Sequence, residues 1–390
     1  MENSLNQIYK YIDDSKDEMI ALWRDIVNLE SYARERNNVN IVAQRLKEEF
    51  EKEGLSCRLV DVGEENGVTL VGELGSDREN KPVIFSGHMD TVFPTGTFGD
   101  KPFRMEEGKA YGPGVLDMKG GIIISLYVIK ALNKTNYNKR PIKIIYSGDE
   151  EIGHVNSKGA EIILNEAKGG ICAFNMETGL VDNYLCVGRK GRMECHVTVD
   201  GVEAHAGNDF SSGKNAIAEM ALKVIEIQKL TDLESGITVS VGKINGGTVS
   251  NAIPAQCTIE IDIRFDKMSD MDIVKEKIQD ICKKTYIEGT STKYEIVSSM
   301  AAYETTEDVM KYYNFVNEVS KKYGFGEMGY KRLGGSSDAS YITIAKTPVL
   351  CSFGVQGQWN HTIKEYALVD SLLKRTKLIS TIIMNLQKFQ

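Results

Sequence analysis

Disulfide spacing, long hydrophobic runs and blocks of basic residues are all missing from this sequence. Its seven cysteines are odd in number and none forms a CxxC pair, which is typical of reduced thiols rather than of a disulfide framework. The longest apolar stretch, residues 121–129, is far shorter than the ~20 residues of a membrane-spanning helix. The net charge of −8 is unsuited to binding a phosphate backbone. We therefore expect a cytoplasmic protein that binds neither membranes nor nucleic acids.

Internal repeats and low-complexity segments are missing as well, and a signal peptide is not expected. The N-terminal segment has the pattern of an amphipathic, charged helix instead of the apolar core of a signal sequence. A chain of 390 residues exceeds a typical single core, so two domains are expected.

Short apolar runs that end in small or polar residues dominate the first half of the chain. They cover residues 82–86, 142–147 and 171–175, and a helical pattern at 121–133 lies between two of them. Such runs are typical of buried strands in a mostly parallel sheet, whose carboxyl ends usually carry the functional site. The predicted fold class is therefore α/β, with a mostly parallel-sheet catalytic domain and helices on both faces of the sheet.

A different pattern begins near residue 190. Alternating strands and two helices follow in the order β-α-β-β-α-β, which predicts an α+β, ferredoxin-like sandwich. The predicted strands are 192–200, 237–244, 255–265 and 293–298, and the predicted helices are 216–230 and 270–284. Because a last strand at 348–352 returns to the first pattern, the sandwich is an insertion. We predict a lid or dimerisation domain at 189–299, inserted into a catalytic domain formed by 1–188 and 300–390.

Polar residues directly after the predicted strands suggest the chemistry. His88 and Asp90 follow the first strand in the sequence SGHMD, so the carboxylate can hold the imidazole in one tautomer, as is usual for metal-bound histidines. Asp117 lies in a glycine-rich turn before a helix. Taken singly, these residues also fit a structural hydrogen bond and a helix-capping aspartate.

Three glutamates and a further histidine follow the later strands. Glu150 and Glu151 are adjacent, so one carboxylate could bind a metal ion while the other, on the opposite side, acts as a base. Two solvated loop residues are the alternative. Glu177 and His361 also follow strands. With the upstream residues they form a set of imidazoles and carboxylates without thiolates, which favours Zn²⁺ or a similar divalent ion and a pair of ions bridged by one aspartate.

Eight motifs, in order, give the chain a family resemblance. The chain resembles the zinc exopeptidase and deacylase family of glutamate carboxypeptidase, aminoacylase and acetylornithine deacetylase, and it looks most similar to the glutamate carboxypeptidase-like members. The resemblance covers nearly the whole chain, including the inserted lid. The motifs are SGHMDTV, GPGVLDMKGG, SGDEEIG, ETG, AHAG, VSNAIP, GGSSDAS and NHTIKEY.

The resemblance implies a centre of two divalent metal ions per chain, with Zn²⁺ as the first expectation and Co²⁺ or Mn²⁺ as alternatives. His88 and Glu177 would hold one ion. Glu151 and His361 would hold the other, and Asp117 would bridge the two.

Other motif residues are implied to act on water or on the reacting bond. Glu150 resembles the family's general base, and Asp90 the residue that orients the metal-binding histidine. His205, in the predicted lid, resembles the histidine that supports the oxyanion, often across a dimer interface. In the family the peptide bond after the bridging aspartate is often cis, so the bond after Asp117 is expected to be cis.

The resemblance also implies a substrate-binding set. Asn251 and Arg264 match positions that meet the substrate carboxylate, for which a guanidinium offers a planar fork. An ion pair with Asp262 or Asp266 is the alternative for Arg264. The loop that would face the amino-acid end of the substrate contains Gly334, Gly335 and Ser336.

The predicted activity is the hydrolysis of an amide bond that releases a C-terminal amino acid from an N-acyl amino acid or short peptide with a free carboxylate. Glu177 resembles the carboxypeptidase and deacylase side of the family, whereas the aminopeptidase side usually carries Asp there. A di- or tripeptide aminopeptidase is the alternative, and a non-catalytic binding protein on the same scaffold is a third. We also expect a homodimer formed through the lid, and no catalytic role for His154 or His196.

Overall fold

The structure is a computed structural model that describes residues 2–389. The helices are α1 Glu2–Asp14, α2 Lys16–Asn28, α3 Arg36–Lys52, α4 Gly120–Lys134, α5 Gly159–Glu166, α6 Ala216–Gln228, α7 Met268–Lys283, α8 Glu307–Lys322, α9 Ala339–Ile344 and α10 Val369–Asn385. The strands are β1 Ser56–Val60, β2 Gly67–Leu74, β3 Val83–His88, β4 Arg104–Glu106, β5 Lys109–Tyr111, β6 Ile142–Gly148, β7 Cys172–Asn175, β8 Tyr184–Arg189, β9 Gly191–Asp200, β10 Ala204–His205, β11 Thr238–Gly246, β12 Ala252–Ile253, β13 Gln256–Phe265, β14 Ser291–Met300, β15 Gly329–Leu333, β16 Val349–Leu350, β17 Gly357–Gln358 and β18 Tyr366–Leu368. Within this described part of the chain, no helix is both long and apolar enough to cross a membrane.

The chain divides into two compact units. Unit 1 contains the residues up to Gly188, Thr305–Leu333 and the segment from Ser337 onward, and unit 2 contains Arg189–Glu304 and Gly334–Ser336. The second boundary lies beyond the predicted residue 299, because β14 continues to Met300. Each unit has its own sheet, so each is described separately.

The central sheet of unit 1 has six strands in the order β1-β2-β6-β3-β7-β16. β6, β3, β7 and β16 run parallel, whereas β1 and β2 pair antiparallel and β2 pairs antiparallel with β6. The α/β fold is therefore confirmed, but the sheet is mixed. The antiparallel edge arises because β1 and β2 are joined by a short connection, which suits a hairpin and not a parallel crossover.

Unit 1 is built around aromatic strand residues and one fully enclosed helix. Phe85 on β3 and Phe174 on β7 are buried and stack, with ring centroids 5.5 Å apart. Helix α4 is buried on all sides from Gly120 to Leu132 and packs against α1, α2 and α10, as expected of a helix that is apolar around its circumference. This packing gives the loop before α4 a rigid support.

Unit 2 has a four-stranded antiparallel sheet in the order β11-β13-β9-β14. Along the chain its longer elements follow as β9, α6, β11, β13, α7 and β14. β9 and β13 bury alternate residues, and those buried side chains share one core with Met220 and Ile227 of α6 and Val274 and Ile278 of α7. Both helices therefore cover the same face of the sheet.

Candidate active site

A first group of potential metal ligands lies at the carboxyl ends of β3 and β7. His88 ends β3, and its Nε2 lies 3.3 Å from Asp117 Oδ1 and 3.8 Å from Glu177 Oε1. The ligand atoms of these residues all lie within 4.8 Å of one another, and all the side chains are buried. The group can therefore surround a single ion.

A second group shares Asp117 with the first. Nε2 of His361 lies 3.2 Å from Asp117 Oδ2 and 3.2 Å from Glu151 Oε2. These ligand atoms also lie within 4.8 Å of one another. The two oxygens of the Asp117 carboxylate thus face two different histidines, which is the arrangement of a bridging ligand.

The loop that carries Asp117 is held close to β7. A Cβ atom on Gly121, in the first turn of α4, would lie 1.9 Å from the carbonyl oxygen of Met176. Only glycine allows the helix to approach the residue before Glu177 so closely. The Asp117–Met118 peptide bond is cis, as the resemblance implies.

The charges of the site suit divalent cations. Without an ion, hydrogen bonds to Asp117 and Glu151 raise the pKa of His361 to about 11. Burial lowers the pKa of His88, but hydrogen bonds to Asp117 and Asp90 shift it well above its usual value. The carboxylates therefore attract positive charge that metal ions can supply, since buried charges are normally paired or bound to metals. Two imidazoles and three carboxylates are also a donor set that Zn²⁺ accepts.

Asp90 connects the two ligand loops. Its backbone oxygen lies 3.1 Å from His88 Nδ1, and its Oδ1 lies 3.5 Å from the same nitrogen. Its Oδ2 accepts a hydrogen bond of 2.9 Å from the backbone N–H of Glu151. Both contacts of Asp90 to the ring are on Nδ1, so that Nε2 faces Asp117 and Glu177 in the ligand group.

Glu150 belongs to neither ligand group, although it is next to Glu151. Its side chain is buried, and burial together with the charges of Glu177 and Glu151 raises its pKa well above the usual value, although His88 acts in the opposite direction. A carboxylate in this environment binds a proton readily, which is the property required of a general base that later acts as an acid.

Two residues that support Asp117 have no predicted role. Glu365 is buried, and its Oε1 accepts hydrogen bonds from the backbone N–H groups of Leu116 (2.9 Å) and Asp117 (3.2 Å). Burial raises the pKa of Glu365 to about 8. Asn360 Nδ2 donates to Asp117 Oδ2 over 2.9 Å. Both belong to the NHTIKEY motif, so their proximity to His361 in the sequence is the one signal that could have pointed to them.

The remaining predicted residues lie in unit 2. His205 and Asn251 are neighbours, because the backbone N–H of Ala206 donates to the carbonyl oxygen of Asn251. Nδ1 of His205 accepts hydrogen bonds from the backbone N–H groups of Gly207 and Asn208, each over 3.1 Å. The proton of a neutral His205 ring therefore resides on Nε2, which is exposed as a donor.

Arg264 and the glycine loop have partners within unit 2. Arg264 forms hydrogen bonds of 2.8 and 3.1 Å with the two carboxylate oxygens of Asp262, the pairing that was the alternative to binding substrate. Ser336 Oγ donates to the carbonyl oxygen of Lys190 over 3.1 Å, next to Gly334 and Gly335. Their roles in substrate binding stay predictions.

Comparison with known proteins gives a family match over most of the chain. The model of peptidase family M20/M25/M40 matches residues 84–385. Carboxypeptidase G2 of Pseudomonas sp. (strain RS-16) is 28% identical over 388 residues, which cover 98% of this chain and 92% of that protein. A probable succinyl-diaminopimelate desuccinylase of Staphylococcus aureus (strain Mu50) is 26% identical over 94% of this chain and 99% of its own length.

Solved structures share the fold. The aminopeptidase PepT of Bacillus cereus superimposes with a TM-score of 0.76 at 19% identity, covering 94% of this chain and 98% of that one. A metallo-carboxypeptidase of family M20 from Sulfolobus solfataricus superimposes with a TM-score of 0.74 at 16% identity, covering 94% and 98%.

Proposed function

Because the chain belongs to peptidase family M20/M25/M40 and is thus a hydrolytic enzyme, we propose that it releases a C-terminal amino acid from an N-acyl amino acid or a short peptide. The observation that carries the proposal is Asp117, whose two carboxylate oxygens face the histidines of two separate ligand groups. A bridged pair of divalent ions is a frequent design for hydrolysing amide bonds.

The proposed mechanism divides the work between the metal ions and the protein. Two ions, Zn²⁺ in the first instance, would be held by the two groups and would supply the Lewis acidity that lowers the pKa of water and polarises the scissile carbonyl. Glu150 would accept a proton from the attacking water on its carboxylate. As the C–N bond breaks, Glu150 would deliver that proton to the leaving amine nitrogen.

Unit 2 would supply the contacts to the oxyanion and to the substrate carboxylate. His205 is suited to donate from Nε2, because its Nδ1 is already an acceptor. A donor of this kind stabilises the negative charge that develops on the carbonyl oxygen. Asn251 and Arg264 would bind the free carboxylate, with Gly334–Ser336 at the amino-acid end of the substrate.

The proposed substrate class is supported by the sequence relatives and by the residue type of one candidate metal ligand, Glu177. The relatives at 25–28% identity include a carboxypeptidase and desuccinylases, both of which are named for the hydrolysis of an acyl or peptidyl bond. The glutamate at position 177 also resembles the residue of the carboxypeptidase and deacylase side of the family, whereas the aminopeptidase side usually carries Asp. This proposal implies that the enzyme binds the substrate through its free carboxylate and not through its free amine.

A hydrolysis screen tests the proposal. Protein freed of metal with a chelator is reconstituted with Zn²⁺, Co²⁺ or Mn²⁺ and offered N-acetyl amino acids, N-acetyl dipeptides and free dipeptides. We expect turnover of the N-acylated substrates and about two bound ions per chain. Cleavage restricted to substrates with a free amine would instead favour the aminopeptidase, and full activity with one bound ion would contradict the two-ion centre.

We further propose that the enzyme is a homodimer that forms through unit 2 and works in the cytoplasm. β11 is an edge strand of its sheet, and Ile244 on it is exposed, as are Ile217 and Ile225 on α6. An edge strand with exposed apolar neighbours is a surface that can pair with another chain. All seven cysteines are free thiols, which agrees with a reducing compartment.

A further inference from the structure

A buried histidine lies between two buried aspartates at the end of β6. His154 Nδ1 is 2.7 Å from Asp149 Oδ1, and His154 Nε2 is 2.7 Å from Asp338 Oδ1. His154 is 7% exposed, Asp149 is fully buried and Asp338 is 1% exposed. No role was expected for this histidine, because no motif requires it.

When both aspartates are ionised, the two short contacts require a doubly protonated ring. A neutral imidazole carries one N–H, so one of the two short contacts would place a nitrogen lone pair against a carboxylate oxygen. With a proton on each nitrogen, both contacts are charge-assisted hydrogen bonds. Burial by itself lowers the pKa of His154, but Asp338 and Asp149 outweigh it and shift the pKa well above the usual value.

The second oxygen of each aspartate is also used. Asp149 Oδ2 accepts from Asn66 Nδ2 over 3.2 Å, and Asp338 Oδ2 accepts from Ser147 Oγ over 2.6 Å. The network thus joins the residue before β2, the end of β6 and the residue before α9. A polar network of this kind stabilises one geometry only when every member has its partners, as these have.

The network holds the turn that carries the candidate catalytic glutamates. Asp149 immediately precedes Glu150 and Glu151, and the turn is closed by the backbone N–H of His154, which donates to the carbonyl oxygen of Asp149 over 3.1 Å. The N–H of Gly153 donates to the carbonyl oxygen of Glu150 over 2.7 Å. His154 therefore contacts Asp149 through both its ring and its backbone N–H, which ties the imidazole to the residue directly before Glu150.

The ring has little room to change its position. A Cβ atom on Gly159, at the start of α5, would lie 2.6 Å from His154 Nδ1 and 2.7 Å from Asp149 Oδ1. On another side the ring of Tyr341 packs edge-on, with centroids 5.6 Å apart. The imidazole is thus confined by packing as well as by its hydrogen bonds.

We propose that His154 is a positioning residue: its imidazolium ties the turn Asp149–His154 to Asp338 and so fixes Glu150 and Glu151 in their catalytic geometry. The inference rests on the proposed function for its effect on turnover, whereas the charge of the ring is measurable without a substrate. Asp338 belongs to the GGSSD motif, so the same contact also fixes the end of the segment that was expected to face the substrate.

Three variants separate positioning from a general loss of folding. In His154→Gln two buried carboxylates lose their shared cation, and we expect kcat to fall by about 10- to 100-fold, the range typical of residues that support a metal site, with KM little changed. In His154→Gln/Asp338→Asn one of the two carboxylates becomes an amide, so the net charge of the three side chains returns to that of the wild type and most of the lost kcat should return. His196→Gln, on the sheet of unit 2, is the matched control and should retain wild-type kcat.

The charge of the ring is tested on the wild-type protein. With ¹⁵N-labelled histidine, the ring of His154 should show a proton on both nitrogens at about pH 8, where an ordinary histidine is neutral. A ring that lacks one of these protons would overturn the proposal, whatever substrate the enzyme accepts. So would a wild-type kcat in His154→Gln, or a double variant that is no more active than the single one. If His154→Gln fails to fold, Asp338→Asn carries the same kinetic test.

Discussion

Two adjacent glutamates at the end of β6 have different surroundings. Glu151 faces His361 and Asp117 in the second ligand group, whereas Glu150 belongs to neither group. Both residues lie in the turn Asp149–His154 that follows β6, and not in extended backbone as the sequence suggested. A single step along the chain therefore separates a predicted metal ligand from a predicted base.

Replacement of each glutamate by glutamine should reveal this difference. Glu150→Gln keeps the shape but removes the proton acceptor, so kcat should fall by about 10²- to 10⁴-fold while elemental analysis finds the metal content of the wild type. Glu151→Gln, the matched variant, should lose metal as well as activity. Near-normal turnover of Glu150→Gln would exclude it as the base.

Arg264 can pair either with the carboxylate of Asp262 or with the free carboxylate of the substrate, and kinetics can distinguish the two roles. If it binds the substrate, Arg264→Lys should raise KM steeply for substrates with a free carboxylate, because lysine cannot reproduce the bidentate fork. Amidation of the substrate's free carboxylate should raise KM of the wild-type enzyme to a similar extent. Asp262→Asn is the control. It removes the carboxylate that accepts the 2.8 Å hydrogen bond from Arg264 Nε but keeps the arginine, and it should leave KM close to normal. Equal cleavage of acid and amide substrates would contradict the role.

At the residue scale, short sequence motifs predicted side chains that the structure places close together. His88, Asp117 and His361 are examples, since each lies in a short motif close to a strand or helix. The supports of Asp117 were missed because they act across long sequence separations: Glu365 binds the backbone 248 residues away. His154 was missed for the same reason, since its partner Asp338 is 184 residues distant.

At the scale of elements, alternation of apolar residues was a reliable guide. The segment predicted at 192–200 is β9, Gly191–Asp200, and the segment predicted at 255–265 is β13, Gln256–Phe265. Strand direction was harder to predict, because a buried apolar run looks the same in parallel and antiparallel pairing. The antiparallel β1 and β2 therefore made the sheet of unit 1 mixed.

Helix α6 of unit 2 carries a buried ion pair whose lysine also contacts the end of α7. Lys223 and Glu219, both on α6, are fully buried, with Nζ 3.1 Å from the carboxylate. Lys223 Nζ also donates to the carbonyl oxygens of Ile281 and Cys282 at the end of α7, over 2.9 and 3.3 Å. The pair thus satisfies carbonyl groups that the last turn of a helix leaves without partners.

Lys223→Met should expose the importance of this pair. It leaves Glu219 buried without its cation, so we expect unit 2 to lose about 3–5 kcal/mol of stability. Hydrogen–deuterium exchange of peptides from α7 and β14 measures the loss locally. Lys229→Met removes an exposed pair with Glu226 and should cost less than about 1 kcal/mol. Equal protection in both variants would show that the buried pair does not stabilise the unit.

At the scale of the whole molecule, the predicted base and the predicted oxyanion donor come from different units. Glu150 lies in unit 1 and His205 in unit 2. In a dimer the histidine could serve its own chain or that of the partner. The two arrangements give different activities when inactive variants are mixed.

Subunit exchange between His205→Ala and Glu150→Gln distinguishes them. Each variant alone should be nearly inactive, since loss of one oxyanion donor costs about 2.7–4 kcal/mol of transition-state stabilisation. If His205 acts on the partner's site, half of the randomly mixed dimers have one intact site, and about a quarter of the wild-type activity should return. Absence of recovery, with exchange verified by mass spectrometry of tagged chains, would show that the histidine acts within its own chain.

The order of the ligands along the chain has a consequence for protein synthesis. His88, Asp117, Glu151 and Glu177 all precede unit 2, whereas His361 follows it. A ribosome therefore synthesises all residues of the first ligand group before unit 2 and adds the imidazole of the second group only after unit 2 has been made. A chain that stops at the end of unit 2 would lack His361 and also Glu365 and Asn360, which support Asp117, so both ligand groups depend on the segment that follows unit 2.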